Sequence, residues 1–297
     1  MITASIVTYK HTFEDIKLLV QSIISSPIII LYIIDHSPEK CVSTLQEDIA
    51  AYLTEQNALI KLIYIRQENK GYSGGHNLAL QDAIKHGASY HLVVNPDVYF
   101  DRKVIPAIFT YMEENPDVGQ LMPKVLYATG ELQRLCKLIP EPMDLLGRFI
   151  LPNFFLESRN KKFELADTGY KKIMNVPYLS GCFMFFRLSA LQDVGLMDEH
   201  FFMYAEDIDI TRRIHEKYKT IYYPKVSITH LFNRADRRSM KLLCIHIVNI
   251  IKYFNKWGWF KDEKRDFYNK QLLSELKKEN NPISVIFLFL CTQQSPA

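Results

Sequence analysis

Seven stretches alternate in character through the first hundred residues, and this alternation limits the possible folds more than any other feature. Ala4 to Thr8 is a short β-branched run, and residues 13 to 24 place Phe13, Ile16, Leu19, Val20 and Ile23 at helical spacing. Ile28 to Ile34 is a continuous apolar run that stops at Asp35-His36-Ser37-Pro38, the pattern of a buried strand ending in a turn. A helical pattern from about Ser43 to Gln56, a strand from Ile60 to Arg66, a helix from Asn77 to His86 and a buried strand from Tyr90 to Val94 complete the series. The order predicts an α/β fold with a mainly parallel central sheet flanked by helices. Ligands of such sheets bind beyond the carboxyl ends of the strands. That singles out Thr8-Tyr9, Asp35, the segment from Glu68 to Asn77, and Asn95 to Asp97.

Bulk properties narrow the class. Hydrophobic residues at 48% and charged residues at 23% of 297 describe a chain that can bury a core. A net charge of +3 is too small to argue for nucleic acid. The five cysteines are scattered without a C-x-x-C pair, which fits a reducing compartment and gives neither a zinc site nor a disulfide framework. The first residues run straight into strand-like sequence without a basic leader, and no apolar run approaches the roughly 20 residues that span a bilayer. A cytoplasmic location is expected.

Three polar stretches carry candidate chemistry. Gln67-Glu68-Asn69-Lys70-Gly71-Tyr72-Ser73-Gly74-Gly75-His76-Asn77 is glycine-rich and opens a helix. It is either a flexible capped loop or a backbone cradle for an anion, but it lacks the endings of a P-loop or a dinucleotide fingerprint. Asn95-Pro96-Asp97 is a plain turn or the place where one carboxylate holds a divalent ion. Tyr204-Ala205-Glu206-Asp207-Ile208-Asp209-Ile210-Thr211-Arg212-Arg213 reads as the start of a helix, whose acidic residues complement the helix dipole. Asp35 either caps the next helix or faces a ligand.

Taken in order, Val7-Thr8-Tyr9, Ile34-Asp35-His36-Ser37, Asn69 to Asn77 and Val94-Asn95-Pro96-Asp97 resemble the donor-binding half of family 2 glycosyltransferases, most closely the bacterial rhamnosyltransferase-like branch. The resemblance implies a GT-A fold, inversion at the anomeric carbon and a nucleotide-sugar donor. It implies that Thr8, Tyr9 and Asp35 contact the nucleoside, and that Asn69, Gly71, Gly75, Asn77 and Asn95 border the nucleotide and diphosphate. It makes Asp97 a ligand of Mg²⁺ or Mn²⁺. Two departures stand out: the common D-x-D is Asn95-x-Asp97 here, and His36 replaces the usual asparagine or aspartate.

Residues 101 to 115 look helical, and 127 to 172, with its prolines, looks like a variable excursion where the acceptor is read. Val176 to Arg187 is strand-like with a kink at Ser180-Gly181. Val194-Gly195-Leu196-Met197-Asp198-Glu199 resembles a further family segment. An acceptor hydroxyl that attacks a sugar must lose its proton, and a carboxylate supplies that base. Residues two apart on a helix face apart, so Asp207 and Asp209 differ in task, and Asp209 is expected to pair with Arg212 or Arg213. The E-D-x-D resemblance puts the base at Asp207, with Glu206 as second choice, and the helix dipole is expected to keep Asp207 ionised. Ile221 to His230 reads as an edge strand because of Pro224. His230 is structural or, on the resemblance, a ligand that completes the metal and diphosphate site. Arg234, Arg237 and Arg238 follow in a phosphate-binding or merely solvated loop.

Met240 to Phe260 is a basic, aromatic-rich helix that either packs on the domain or lies at a membrane surface, and Ile283 to Leu290 is a second apolar patch. The expected organisation is a GT-A domain over 1–235, with a Rossmann-like nucleotide-sugar-binding half over 1–100 and an acceptor and catalytic half over 101–235. A helical extension follows over 236–297 with peripheral contact to the inner face of the plasma membrane. The expected activity is transfer of L-rhamnose from dTDP-L-rhamnose to a glycan or polyprenyl-diphosphate-linked acceptor in bacterial surface-polysaccharide synthesis. The alternative is a glucosyl-, galactosyl- or N-acetylglucosaminyltransferase using a UDP-sugar. A nucleotidyltransferase is more distant, since Thr8-Tyr9-Lys10-His11 offers no glycine-rich loop, and a catalytically silent binding protein would not need Asp97, Asp207 and His230 together.

Overall fold

The computed structural model describes residues 1–40, 44–231 and 240–280. Strand and helix alternate through the first third as β1 (Ile2–Thr8), α1 (Phe13–Ile24), β2 (Ile30–Asp35), α2 (Leu45–Glu55), β3 (Lys61–Arg66), α3 (Gly71–Lys85) and β4 (Tyr90–Val94). Helix α1 buries Ile16, Leu19, Val20 and Ile23, the stripe its spacing predicts, and the Thr12 amide donates to Asp15 Oδ2 at 2.8 Å to start it. The next elements are β5 (Val98–Phe100), α4 (Val104–Glu114), β6 (Val118–Leu126), β7 (Cys136–Lys137), α5 (Pro142–Ile150) and α6 (Asn153–Phe163). They are followed by β8 (Met174–Asn175), β9 (Tyr178–Leu179), β10 (Phe183–Arg187), α7 (Leu188–Val194), α8 (Glu206–His215), β11 (Lys219–His230), α9 (Met240–Trp257) and α10 (Glu263–Asn280).

The main sheet runs β3-β2-β1-β4-β10-β6-β11-β5, with β8 added against β11. Its first four strands are parallel, and β10 enters antiparallel to both β4 and β6. Side chains alternate between faces along a strand, so Leu31 and Ile33 join one buried cluster while Ile30, Tyr32 and Ile34 join another. The sheet is therefore covered on both sides. The chain order reverses across β1, between β2 and β4, which opens a crevice at their carboxyl ends.

Three expectations are corrected. The helix read from Asn77 begins at Gly71, so most of the glycine-rich stretch is helical. Its first amides find partners in Asn69 Oδ1 (2.9 Å from Gly71 N) and Phe202 O (2.8 Å from Tyr72 N), the second of which no local reading can supply. Strand β11 is not an edge: β6 flanks it on one side, and β5 and β8 on the other. Pro224 is accommodated because the register with β6 jumps between Tyr223 and Ser227, leaving the proline in a bulge where no ladder amide is needed. The excursion over 127–172 holds α5 and α6, and its prolines start helices, Pro142 in the first turn of α5 and Pro152 at the N-cap of α6.

Helix α9 packs on the domain and buries Asn249, Ile250, Tyr253 and Phe254. Lys252 donates to His200 O at 2.8 Å, and Lys256 reaches Asp198 and Asp209 at 2.7 Å each, so these two lysines are not a lipid-facing row. Among the described residues no helix is long and apolar enough to cross a membrane. The expectations for Arg234, Arg237, Arg238 and the patch from Ile283 to Leu290 lie outside the described residues.

Candidate active site

At the carboxyl end of β2, Asp35 is fully buried and held from three sides. The Ser37 amide donates to Oδ1 at 2.9 Å, the Tyr64 hydroxyl to Oδ2 at 2.8 Å, and the Thr8 hydroxyl to Oδ1 at 3.4 Å. Burial raises this carboxyl, but the Ser37 and Tyr64 hydrogen bonds outweigh it and hold it below the usual carboxylate range. Asp35 is thus no helix cap; it locks the β1, β2 and β3 ends together beneath the crevice. Tyr9, next along from Thr8, is exposed there.

The glycine-rich segment plays several parts. Gly71 has φ +77°, and a Cβ on it would lie 2.1 Å from Phe202 O, so only glycine allows this close approach. Gly75 seats α3 against β1, since a Cβ there would strike Val7 Cγ2 at 2.6 Å. Asn77 is likewise buried and committed: its Nδ2 donates to Met197 O (2.8 Å) and Glu199 Oε1 (2.9 Å), and its Oδ1 accepts from Met197 N (3.1 Å). These bonds tie α3 to the segment before the Tyr204–Asp207 turn. Asn95 is half-buried, and its amide donates to Cys182 O at 3.0 Å.

Strand pairing brings Asp97 and His230 together. In the β5–β11 ladder His230 faces Val98, so its imidazole meets the carboxylate just before β5, with Nε2 3.3 Å from Asp97 Oδ1. Burial raises the Asp97 carboxyl, and the His230 hydrogen bond and charge hold it below its ordinary value. Gln133 was not singled out in the sequence, and it decides how His230 is presented. Its Nε2 donates to His230 O at 2.7 Å and Leu126 O at 3.2 Å, which orients its Oε1 to accept from His230 Nδ1 at 3.0 Å. With Nδ1 donating to Gln133, Nε2 is the nitrogen turned to Asp97, and it would ligate a cation that displaces its proton. Among the described residues no group of three His, Cys, Asp or Glu side chains converges for a metal. Asp97 and His230 supply two donors, which fits a cation whose remaining ligands are phosphate oxygens of a bound nucleotide.

The catalytic-turn candidates lie across this crevice. Tyr204 and Ala205 take φ of +70° and +68°, the left-handed region that costs an L-residue roughly 1–2 kcal/mol. Helix α8 starts immediately after them. Asp207 is half-buried, with Oδ2 accepting from the Gly181 amide and Oδ1 from Ile208, both at 2.9 Å. A Cβ on Gly181 would lie 3.2 Å from Asp207 Cβ, so the kink glycine lets β10's lead-in reach the carboxylate. Burial raises both acids despite the helix dipole, Glu206 more strongly because its neighbour's charge adds to burial. Desolvation thus works against the effect expected of the helix start and raises the Asp207 carboxyl. Glu206 Oε2 is buried without a hydrogen-bond partner. Tyr72 donates to Gly181 O at 2.7 Å, on the same glycine whose amide holds Asp207. Burial and the charges of Glu206, Asp207 and Asp97 raise its phenol well above the ordinary value, so all three carboxylates lie within its electrostatic reach.

Helices α9 and α10 hold the strained turn. Asn249 Nδ2 donates to Met203 O at 2.8 Å, and the His246 ring stacks on Tyr204 with centroids 4.4 Å apart. Asp209 is fully buried and accepts from Arg213 (2.9 Å), Trp257 Nε1 (2.9 Å) and Lys256 (2.7 Å). Arg212 does not pair with Asp209; it makes a buried two-pronged bond to Asp262, both prongs 2.6 Å, and lies 3.9 Å over the Trp257 ring. Tyr72 had a sequence signal, an aromatic inside the glycine-rich stretch. Gln133, Trp257 and Asp262 had none, because each works only through a partner tens of residues away.

Two carboxylate centres, one paired with histidine and one at a helix start, thus face the end of a nucleotide-binding-type sheet. Comparison with known proteins agrees. The profile of the family described as Glycosyl transferase family 2 matches residues 3–195. The N-acetylglucosaminyl-diphospho-decaprenol L-rhamnosyltransferase of two Mycobacterium tuberculosis strains is 27% identical over 146 residues, covering 47% of this chain and 46% of the relative. The chain thus spans under half the length of these curated relatives. Among solved structures, TarS of S. aureus superposes with a TM-score of 0.54 at 15% identity, over 94% of this chain and 43% of that one. The mannosyltransferase PcManGT of Pyrobaculum calidifontis, in complex with GDP-Man and Mn²⁺, superposes with a TM-score of 0.56 at 14% identity, over 100% and 76%. At such identities the superpositions bear on the fold alone, which is GT-A. Sheet order, crevice and profile match converge on one assignment: the chain belongs to glycosyl transferase family 2.

Proposed function

We propose that this protein is an inverting, metal-dependent glycosyltransferase that moves L-rhamnose from dTDP-L-rhamnose to a polyprenyl-diphosphate-linked glycan in bacterial surface-polysaccharide synthesis, acting from the cytoplasmic side of the membrane. The observation that carries the chemistry is that residues 181 and 182 join the two carboxylate segments: the Gly181 amide donates to Asp207 Oδ2 at 2.9 Å, and Cys182 O accepts at 3.0 Å from the amide of Asn95, two residues before the His230-paired Asp97. The sugar and the acceptor rest on the likeness to the mycobacterial rhamnosyltransferase, whose name specifies both.

In this reading residues 1–100 hold the donor, with Thr8, Tyr9 and Asn95 at the crevice and Asp35 and Asn69 shaping it, while 101–235 supply the base and the acceptor side. The acceptor hydroxyl oxygen forms a bond to the anomeric carbon as its proton passes to an Asp207 oxygen. The bond between that carbon and the diphosphate oxygen breaks on the opposite face. A raised carboxyl suits this work, because a base whose pKa approaches the operating pH accepts a proton most effectively. Asp97 and His230 would hold Mg²⁺ or Mn²⁺, which neutralises charge on the departing nucleoside diphosphate. Burial and the Asp207 charge raise the Glu206 carboxyl, which disfavours a second negative charge beside Asp207.

A thermal-shift and calorimetric panel of dTDP-L-rhamnose, UDP-glucose, UDP-galactose and UDP-N-acetylglucosamine, each with Mn²⁺ and Mg²⁺, tests the donor. The largest shift is expected with dTDP-L-rhamnose, and a preference for a UDP-sugar would replace the sugar while keeping the reaction. Proton NMR of the product tests inversion: retained anomeric configuration would remove Asp207 as a simple base.

A further inference from the structure

We propose that Lys137 reads the diphosphate of the acceptor, and so separates acceptors that carry this group from those that lack it. This rests on the proposed diphosphate-linked acceptor and names the side chain that would recognise it. Strands β7 and β9 pair antiparallel, with Cys136 opposite Leu179 and Lys137 opposite Tyr178. Side chains alternate along such a ladder, so Cys136 and Leu179 turn into the core, where both are fully buried, and Lys137 and Tyr178 share the other face. The chain that leaves β9 runs straight to the proposed base. The Ser180 amide donates to Leu135 O at 3.1 Å, and the Gly181 amide, one residue on, donates to Asp207 Oδ2 at 2.9 Å. The ladder thus fixes a cation beside the segment that holds Asp207.

Lys137 is built into the fold and is not a freely solvated charge. It is half-buried, and its ammonium lies 5.4 Å from the Phe163 ring centroid and 5.7 Å from that of Tyr178. Both rings are buried, with centroids 6.5 Å apart, and the Leu138 amide, next to Lys137, donates to Phe163 O at 3.0 Å. The negative ring faces hold the charge in one place, so little side-chain freedom is left to lose when an anion arrives. The next cation on this segment, Arg134, lies 4.0 Å from Glu164. Burial raises the Asp207 carboxyl, and the Lys137 charge is among the effects that oppose it. In the proposed reaction the acceptor hydroxyl meets Asp207. Where one sugar stands on the acceptor diphosphate, the phosphate oxygens lie a single sugar ring from that hydroxyl. Asp97 and His230 are committed there to the departing nucleoside diphosphate, so the second diphosphate needs a cation of its own on the Asp207 side. A lysine ammonium suits it as a compact point charge.

Two probes isolate the diphosphate: an N-acetylglucosaminyl diphosphate on a short alkyl chain, and octyl N-acetylglucosaminide, which lacks phosphate. Calorimetry measures the binding of each to the full chain saturated with dTDP and Mn²⁺, a readout independent of the sugar transferred. The wild type is expected to prefer the diphosphate probe, and Lys137→Met, which keeps the stem over the rings, to lose about tenfold or more of that preference. Lys137→Arg is expected to restore most of it. A wild type without the preference, a Lys137→Met protein that keeps it, or an equal weakening of both probes would overturn the proposal. So would loss of dTDP affinity in Lys137→Met at an unchanged urea midpoint, because the lysine would then serve the donor. Steady-state transfer adds a further break: a fall in kcat by one factor for both acceptors, with KM unchanged, would mean that Lys137 acts only through Asp207. Diphosphate binding through Lys137 in a protein that transfers a sugar other than L-rhamnose would uphold the assignment and remove the donor reading alone. Transfer of L-rhamnose to both acceptors with equal KM would do the reverse.

Discussion

The β1–β4 half and the turn from Met203 to Asp207 solve opposite problems. Between β1 and β4 the polar residues satisfy one another close to home: Asp35 takes Thr8, Ser37 and Tyr64, and Ser5 links His76 to His91 at 2.7 Å on either side. The turn from Met203 to Asp207 is instead held from outside, by Tyr72, Gly181, Asn249, His246 and, through Asp209 and Arg212, by Trp257 and Asp262. The floor under Asp35 is closed by residues between positions 8 and 64. A turn with two left-handed non-glycine residues persists only while its surroundings over-determine it. The family profile ends at residue 195, yet α9 and α10 beyond it help to hold the Met203–Asp207 turn.

The contrast breaks most visibly at the buried Arg212–Asp262 pair. Asp262→Ala strands a buried guanidinium, so chemical denaturation should register a loss of about 3–5 kcal/mol. Transfer should fall while the remaining folded protein still binds nucleoside diphosphate; unchanged stability would mean that the C-terminal helices do not clamp the turn. Asp207→Asn should lower the transfer rate by about 10²-fold or more with donor affinity intact by calorimetry. A near-wild-type rate would take Asp207 out of the chemistry. On the metal side, Gln133→Leu frees the His230 ring to turn, and losing such a supporting contact costs roughly 10–100-fold in metal affinity. The readout is Mn²⁺-dependent binding of UDP or dTDP, and equal affinity would make Gln133 a filler.

The smallest effect is a change of slope with pH. Glu206 has its folded pKa raised above its ordinary value of 4.5 by burial and by Asp207. The folded state therefore holds this proton more tightly than the unfolded chain. The associated stability is complete below that ordinary value and is lost as pH rises towards the folded value. Glu206→Gln removes the titration, so its stability relative to wild type should improve from pH 4.5 to pH 8 in urea melts. Parallel curves would place Glu206 in water instead.

Much of the donor half was legible because its signals are local. The apolar stripe of α1, the buried runs of β2 and β4 and the turn after Val94 need only neighbours in sequence to be read. The misreadings came where a distant partner decides. The glycine-rich stretch looked like a loop because Phe202, which satisfies its first amide, lies about 130 residues on. Pro224 looked like an edge signal because the bulge that admits it is a property of the β6–β11 register. For α9 the sequence left packing and a membrane surface both open, because the acceptors of Lys252 and Lys256, His200 O and Asp198, sit on another segment.

By itself the sequence determined the α/β alternation, the crevice at the strand ends and the identity of the candidate carboxylates. These follow from side-chain periodicity and from residue types at the ends of short elements, all set within a few peptide units. Tertiary structure alone decided which nitrogen His230 presents, why Asp207 is raised and not simply stabilised by its helix, and what holds the strained turn at Tyr204 and Ala205. Those outcomes depend on burial and on hydrogen bonds between segments far apart in the chain. Desolvation and partner geometry are properties of a place in the fold, and no run of neighbouring residues encodes them.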